Sequence, residues 1–270
     1  MSRKPADHYT VANHFGSISQ SHQCAISLIE KAHLGQTLPY QILDLSVGNG
    51  DFLKMLYQSM PAATFTGIDV SKKMLDCASS ALPLTTIETS ATEASQYIAP
   101  KSQDLVLAHF INAYIPFKQL CHEAHLLTRT HGHFLLITTT YESFPNTQQQ
   151  LAHFISSDSI LSNIVGHYYK AIVKNTTVAT GEEELQNAFK INQFQILSHE
   201  RLHIPITLHN IDELALFGIE GTWFLNTVAI RMLPKHFLIQ RLKRLFGKIF
   251  TFPYEDTHII DVVLAQRLDI

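Results

Sequence analysis

Short apolar runs alternate with helical spacings through the first half of the chain. Gln41–Leu45 (QILDL), Thr64–Ile68 (TFTGI), Thr85–Thr89, Asp104–His109 (DLVLAH) and His133–Thr139 (HFLLITT) have the length and residue types of buried strands. Between them the apolar positions recur at helical intervals. Gly50–Ser59 puts Phe52, Leu53, Leu56 and Tyr57 on one face, Lys72–Ser80 follows Ser71 as an N-cap, and Phe117–Leu127 is a third helix. Strands alternating with helices predict an α/β fold, a parallel sheet with helices on both faces. Right-handed crossovers bring the C-terminal ends of the strands to one edge. Ligands bind at that edge, so the residues just after Leu45, Ile68, Thr89 and His109 matter most.

The second half is less regular. Tyr141–Thr180 has no clear period and reads as a helical insertion, Gly181–Lys190 as a helix, and Phe194–Ile204 and His258–Leu268 as two more strands. The stretch between those strands is helical in pattern and leaves the sheet. The predicted organisation is an N-terminal helical cover (1–40), an α/β core (41–140), a helical insertion (141–180), a continuation of the core (181–206), a helical lid (207–257) and a final core strand (258–270).

Composition narrows the class. A chain of 270 residues, 46% of them hydrophobic, buries a sizeable core without staples. A net charge of −3 excludes a strongly basic nucleic-acid binder, although protonation of the 16 histidines would reverse the sign. Cys24, Cys77 and Cys121 are too few and too far apart for a disulfide framework or a zinc ribbon. No apolar run reaches the roughly 18 residues of a membrane span. The start, MSRKPADHYTVANHF, lacks the apolar stretch of a signal peptide. A cytoplasmic globular protein is expected.

The chemistry concentrates in two segments. In ILDLSVGNGDFL (42–53) a strand ends in an Asp, a small-residue turn follows and an amphipathic helix begins. Such a turn lets the backbone approach a ligand and aims helix N–H groups at it. In FTGIDVSKKM (65–74), Asp69 ends the second strand about 20 residues beyond the glycines, where a carboxylate accepts both hydroxyls of a ribose. Asp44, Gly48, Gly50 and Asp69, in this order, resemble the first two motifs of the class I S-adenosylmethionine-dependent methyltransferases. SQDLVLAHFINAYI (102–115) looks like that family's fourth motif, and LLTRTHGHFLLITTT (126–140) like its turn and fifth strand. The resemblance runs over roughly Gln41–Ile137.

It implies a Rossmann-like seven-stranded, mostly parallel sheet with an antiparallel end strand, helices on both faces and helical lid insertions. It implies S-adenosyl-L-methionine as cofactor and a small-molecule acceptor. Carried over residue by residue, Gly48 would admit the methionine part of the cofactor, Asp44 would orient the turn and help the ammonium, and Asp69 would hold the ribose. Val70 would pack on the adenine, with Ser90 and Ala91 at its edge, and the His109 carbonyl would meet the methionine amine. Ser46 stands where the family has its first glycine, Ser90 where it often has an acid, and His131–Gly132 where it often has a glycine pair. His109, Asn112, Tyr114 and Tyr141 lie where the substrate pocket should open, and Tyr9, His14 and Phe15 belong to a segment expected to cover the cofactor. No single residue stands out as catalytic. The oligomeric state is open.

Three other readings compete. A nicotinamide dinucleotide would want a third glycine after S-V-G-N-G and no Asp before the turn. A non-catalytic binding protein would keep the cofactor fold without transfer, in line with Ser46 and Ser90. A peripheral membrane methyltransferase would act on a lipid or quinone. For the last, Arg231–Phe250 is a basic amphipathic stretch with Phe237, Leu238, Leu242, Leu245, Phe246 and Ile249 on one face. We expect that face to pack inward over the substrate mouth, with Arg241, Lys243 and Arg244 in solvent. A membrane surface is the less favoured use of this stretch, and without an aromatic-interleaved basic groove it does not suit nucleic acid. His122 and His125 in CHEAH fall one residue short of the H-E-x-x-H spacing, so no metal is expected.

Overall fold

A computed structural model describes residues 10–157, 159–174, 177–220, 223 and 235–269. Seven strands form one sheet: β1 (Gln41–Asp44), β2 (Thr64–Asp69), β3 (Thr85–Glu88), β4 (Gln103–His109), β5 (Thr128–Thr138), β6 (Phe194–Leu208) and β7 (Tyr254–Arg267). Their order across the sheet is β3-β2-β1-β4-β5-β7-β6. Strands β1 to β5 pair in parallel, and β7 runs antiparallel to β5, with Thr138 opposite Asp261. The chain leaves β1 toward β2 on one side and returns to β4 on the other. The strand order therefore reverses beside β1, which is where a doubly wound sheet opens a crevice.

The helices are α1 (Ser17–Lys31), α2 (Asp51–Ser59), α3 (Lys72–Ala81), α4 (Phe117–Leu127), α5 (Pro145–Ile155), α6 (Ile160–Lys174), α7 (Glu182–Ile191), α8 (Ile211–Ala215) and α9 (Lys235–Ile249). Ser71 caps α3 as its sequence suggests, its hydroxyl accepting from the Met74 N–H at 3.4 Å. On one face of the sheet, Leu43, Leu45, Val106, Ala108, Phe134 and Leu136 pack against Leu120 and Ala124 of α4 and Leu185 and Phe189 of α7. Alternation then turns Ile42, Asp44, Leu105, Leu107 and His109 to the opposite face.

Two compact units emerge. One holds Ser19–Tyr141, Thr177–Leu202 and Ile260–Ile270, and contains the site-bearing part of the sheet. The other is built from the described residues of Met1–Ile18, Glu142–Thr176 and His203–Ile259, around a core of Phe144, Ile206, Leu208, Leu214, Phe217, Phe250 and Tyr254.

Several boundaries differ from the sequence reading. Strand β5 begins at Thr128 rather than His133, because Thr128 pairs with Gln103 ahead of a register shift that skips residues 129–132 before His133 pairs with Leu105, which leaves no alternating pattern. Strands β6 and β7 are longer than expected, and the 141–180 insertion resolves into α5 and α6. In the basic stretch, Leu245, Phe246 and Ile249 are partly buried, Phe246 and Ile249 against the second unit's core. Lys243 is not left to solvent as expected: its ammonium lies 2.6 Å from Asp212. Residues 231–234 and the side chains of Phe237, Leu238, Arg241 and Leu242 lie outside the described residues. Among the described residues, no helix is long and apolar enough to cross a membrane.

Candidate functional site

The turn after β1, in the first unit, is held by a set of hydrogen bonds. The Leu45 N–H donates to the Leu107 carbonyl and the Val47 N–H to the Ile68 carbonyl, both at 2.9 Å. The turn is therefore stitched alternately to β4 and β2. The Asp44 carboxylate, 1% exposed, accepts the Ser46 N–H at 2.9 Å. Gly48, at φ +53°, donates its N–H to Asp69 Oδ2 at 3.1 Å. A left-handed backbone favours glycine there. Gly50 is also left-handed, at φ +84°, and a Cβ on it would come within 2.9 Å of the Ala78 Cα and Cβ. Its lack of a side chain thus seats α2 against α3.

Asp69 links two turns, since its Oδ1 also accepts the Ser71 N–H at 2.8 Å. The Val70 N–H reaches the same carboxylate, and of a carboxylate's roughly four acceptor positions one remains for a further donor. Burial pushes its pKa up, against the pull of these N–H groups. Burial raises Asp44 further, to about 7. Val70, next along the chain, is 72% exposed.

Ser46 was the departure from the glycine pattern. It keeps an ordinary negative φ, so its Cβ costs no backbone strain. Its hydroxyl clasps the end of β4, donating to the His109 carbonyl at 3.2 Å and accepting the His109 N–H at 3.1 Å. One lone pair of the carbonyl expected to meet the methionine amine is thereby engaged. The His109 ring sits edge-on to Phe52 at 4.3 Å and 5.5 Å from His22. Its Nε2 is buried without a hydrogen-bond partner. Burial holds both imidazoles neutral, His22 at about 4 and His109 well below its usual range, where His22 adds to the effect.

The remaining predicted positions serve varied local roles. Ser90 caps the short helix Ala91–Gln96, accepting from the Thr92 N–H at 3.4 Å, and Ala91 is buried in the core. Asn112 is 2% exposed and donates to the Thr139 carbonyl at 3.2 Å, so its amide ties two loops together. Tyr114 is 64% exposed. The Tyr141 N–H bonds the Ala179 carbonyl at 2.8 Å. His14 and Phe15 belong to the second unit, with their rings 4.7 Å apart and Phe15 edge-on to Phe217 at 5.2 Å. Tyr9 lies outside the described residues. The structure thus brings Asp44, Ser46, Gly48, Asp69 and His109 into one network. Sequence reasoning missed His22 and Phe52 beside it, and Gly67, where a Cβ would come within 3.0 Å of Val47. Only the Gly67 position, a glycine inside a strand, carried a sequence signal. Among the described residues, no group of three or more His, Cys, Asp or Glu is placed to hold a metal.

Residues 42–132 match the family model for a methyltransferase domain. The structure is similar to that of the YcgJ protein from Bacillus subtilis, with a TM-score of 0.58 at 14% identity over 92% of this chain and 100% of that one. It is similar to geranyl diphosphate C-methyltransferase from Streptomyces coelicolor A3(2), solved with Mg2+, geranyl diphosphate and S-adenosyl-L-homocysteine, with a TM-score of 0.51 at 12% identity over 91% and 78%. A third similar structure is Haemonchus contortus phosphoethanolamine N-methyltransferase 2, with a TM-score of 0.51 at 14% identity over 92% of this chain and 53% of that one. No curated protein sequence matches the chain. At these identities the structural likeness is one of fold, and it is residues 42–132 that match a methyltransferase domain.

Proposed function

We propose that the chain transfers a methyl group from S-adenosylmethionine to a small-molecule acceptor, with the cofactor on the Asp44–Asp69 network. The observation that carries this reading is the Gly48–Asp69 hydrogen bond, which sets a glycine turn beside a half-buried carboxylate with acceptor capacity to spare. The residues fit the cofactor in kind. Gly48 offers a backbone without a Cβ, Asp69 a carboxylate with an acceptor position left for the ribose, and Val70 an exposed apolar surface for the adenine. Asp44, buried and at about 7, gains a counter-charge from an ammonium. The Ser90 hydroxyl and the Ala91 backbone lie just past β3 for the base edge, and His109 keeps one carbonyl lone pair for the amine.

When bound, the cofactor supplies a methyl group already activated on its sulfonium. The chain's own task is then alignment and exclusion of water rather than proton chemistry. His22 and His109, both neutral, suit hydrogen bonding to an uncharged group better than charge pairing.

Calorimetry tests the reading. S-adenosylmethionine and S-adenosylhomocysteine should bind and NAD should not; binding of NAD alone overturns it. Asp69→Ala should weaken the cofactor by about 1.5–3 kcal/mol, the worth of hydrogen bonds to a charged group. Unchanged affinity in that variant would mean the ribose lies elsewhere.

A further inference from the structure

Within the second unit, α5 and α9 border an open cleft of about 480 Å³. The α5 side supplies Gln149, Gln150, His153, Phe154 and Ser157, and α9 supplies Lys248 and Ile249. Positions 149–150, 153–154 and 157 recur once per turn, so one stripe of α5 faces the opening. The volume falls in the range of roughly 300–1,000 Å³ of small-molecule clefts.

The lining is chemically one-sided. Lys248 is its one lysine or arginine, and no acidic side chain of the described residues lines it. Among the described residues, none forms an ion pair with Lys248, and none hydrogen-bonds the side chains of Gln149, Gln150 or His153. A lysine in a last helical turn commonly serves the carbonyls left over there. Here those carbonyls are already served. Ser156 donates its N–H to the Ala152 carbonyl at 3.1 Å and its hydroxyl to the His153 carbonyl at 2.7 Å. Ser157 donates its hydroxyl to the Phe154 carbonyl at 2.7 Å, and the Phe250 N–H bonds the Phe246 carbonyl of α9 at 2.8 Å. The Lys248 ammonium, the two carboxamides and the His153 ring are thus donors without a protein acceptor among the described residues. Beside them, Phe154 and Ile249 are half-buried and offer apolar surface.

We propose that this cleft binds a monoanionic amphiphile, a carboxylate on an aliphatic chain, with its head on Lys248 and the glutamine amides and its chain on Phe154 and Ile249. An ionised carboxylate only accepts hydrogen bonds, which is what a lining of unmatched donors wants. One lysine neutralises one charge, so a monoanion fits better than a dianionic phosphate monoester. The site is independent of the methyl-transfer reading.

The ring-proton NMR signals of His153, assigned by their loss in His153→Gln, report on the cleft in the full chain. They are followed during titration with octanoate, with acetate, which lacks the chain, and with octanol, which lacks the charge. Octanoate should shift them saturably and bind about tenfold more tightly than acetate, the worth of about two buried methylene groups. It should bind roughly fivefold more tightly than octanol at low salt, the upper end for an exposed charge pair, and added salt should narrow that margin. Lys248→Gln, an exposed change, should abolish the margin over octanol. Lys190→Gln, which removes the same charge from the first unit, should preserve it. Octanoate binding without pelleting on phosphatidylglycerol vesicles assigns a free amphiphile; octanoate binding with pelleting that Lys248→Gln removes assigns one held in a bilayer. No saturable octanoate shift, equal binding of octanoate and acetate, a margin over octanol that survives Lys248→Gln, or pelleting without octanoate binding overturns the proposal.

Discussion

Gly50→Ala is expected to lower the thermal midpoint by roughly 5–15 °C, the consequence of about 2–4 kcal/mol of lost stability. Two costs combine. A left-handed backbone at φ +84° disfavours any Cβ, and the new methyl would stand 2.9 Å from the Ala78 Cα and Cβ. Because one of those atoms is backbone, relief requires α2 and α3 to move apart. The turn that carries Gly48 moves with α2, so cofactor affinity should fall in the same variant. Gly247→Ala is the matched control: a Cβ at Gly247 meets nothing within 4 Å, and its midpoint should not drop. An unaltered midpoint in Gly50→Ala would show that the close approach of α2 to α3 is not a feature of the molecule in solution.

Asp44→Asn should separate stability from function. The carboxyl group is buried, and its pKa rises from 3.8 to about 7 chiefly through loss of water, with the Asp69 charge adding to it. The folded value lies above the unfolded one, so the protonated form favours folding. That contribution is fully present below about pH 4 and is lost as pH rises to about 7, a change of about 4 kcal/mol. The amide removes the buried charge and still accepts the Ser46 N–H. At pH 8 the variant should therefore melt higher, by roughly 5 °C or more. Cofactor affinity should fall about 10- to 100-fold at the same pH, the value of a charged hydrogen bond to an ammonium. In the unmodified chain that affinity should climb as pH rises through about 7, as Asp44 ionises, and in Asp44→Asn the climb should disappear. Calorimetry at pH 6 and pH 8 with melting curves tests both halves. A variant that loses stability, or binds the cofactor as before, contradicts the assignment of Asp44.

The parallel core was readable along the chain because its signals are local. A strand's apolar run, the Ser71 cap and the left-handed glycine turn each depend on neighbours a few residues away. The Asp69 position was readable because strand–turn–helix lengths in a doubly wound unit vary little. Strand ends were less legible where the register shifts: Thr128 pairs with Gln103, but the next four residues of β5 have no partner on β4, so no alternating pattern marks this end.

Side-chain partners lay beyond that reach. Ser46 looked like a defect in a glycine pattern, but its hydroxyl clasps His109, 63 positions along the chain. Asn112 looked like a pocket residue and is instead buried against the Thr139 carbonyl. Lys243 looked solvated and pairs with Asp212. Ser17 meets His258 across 241 positions, a contact that no spacing rule contains. The sequence by itself determined the element types and the place of the glycine turn between β1 and α2, because backbone propensity and hydrophobic period act over a few residues. Only the tertiary structure decided which polar groups are satisfied, which are buried and charged at a cost, and which, like His109 Nε2, are buried without a partner. Those depend on desolvation and on contacts between segments that packing alone brings together.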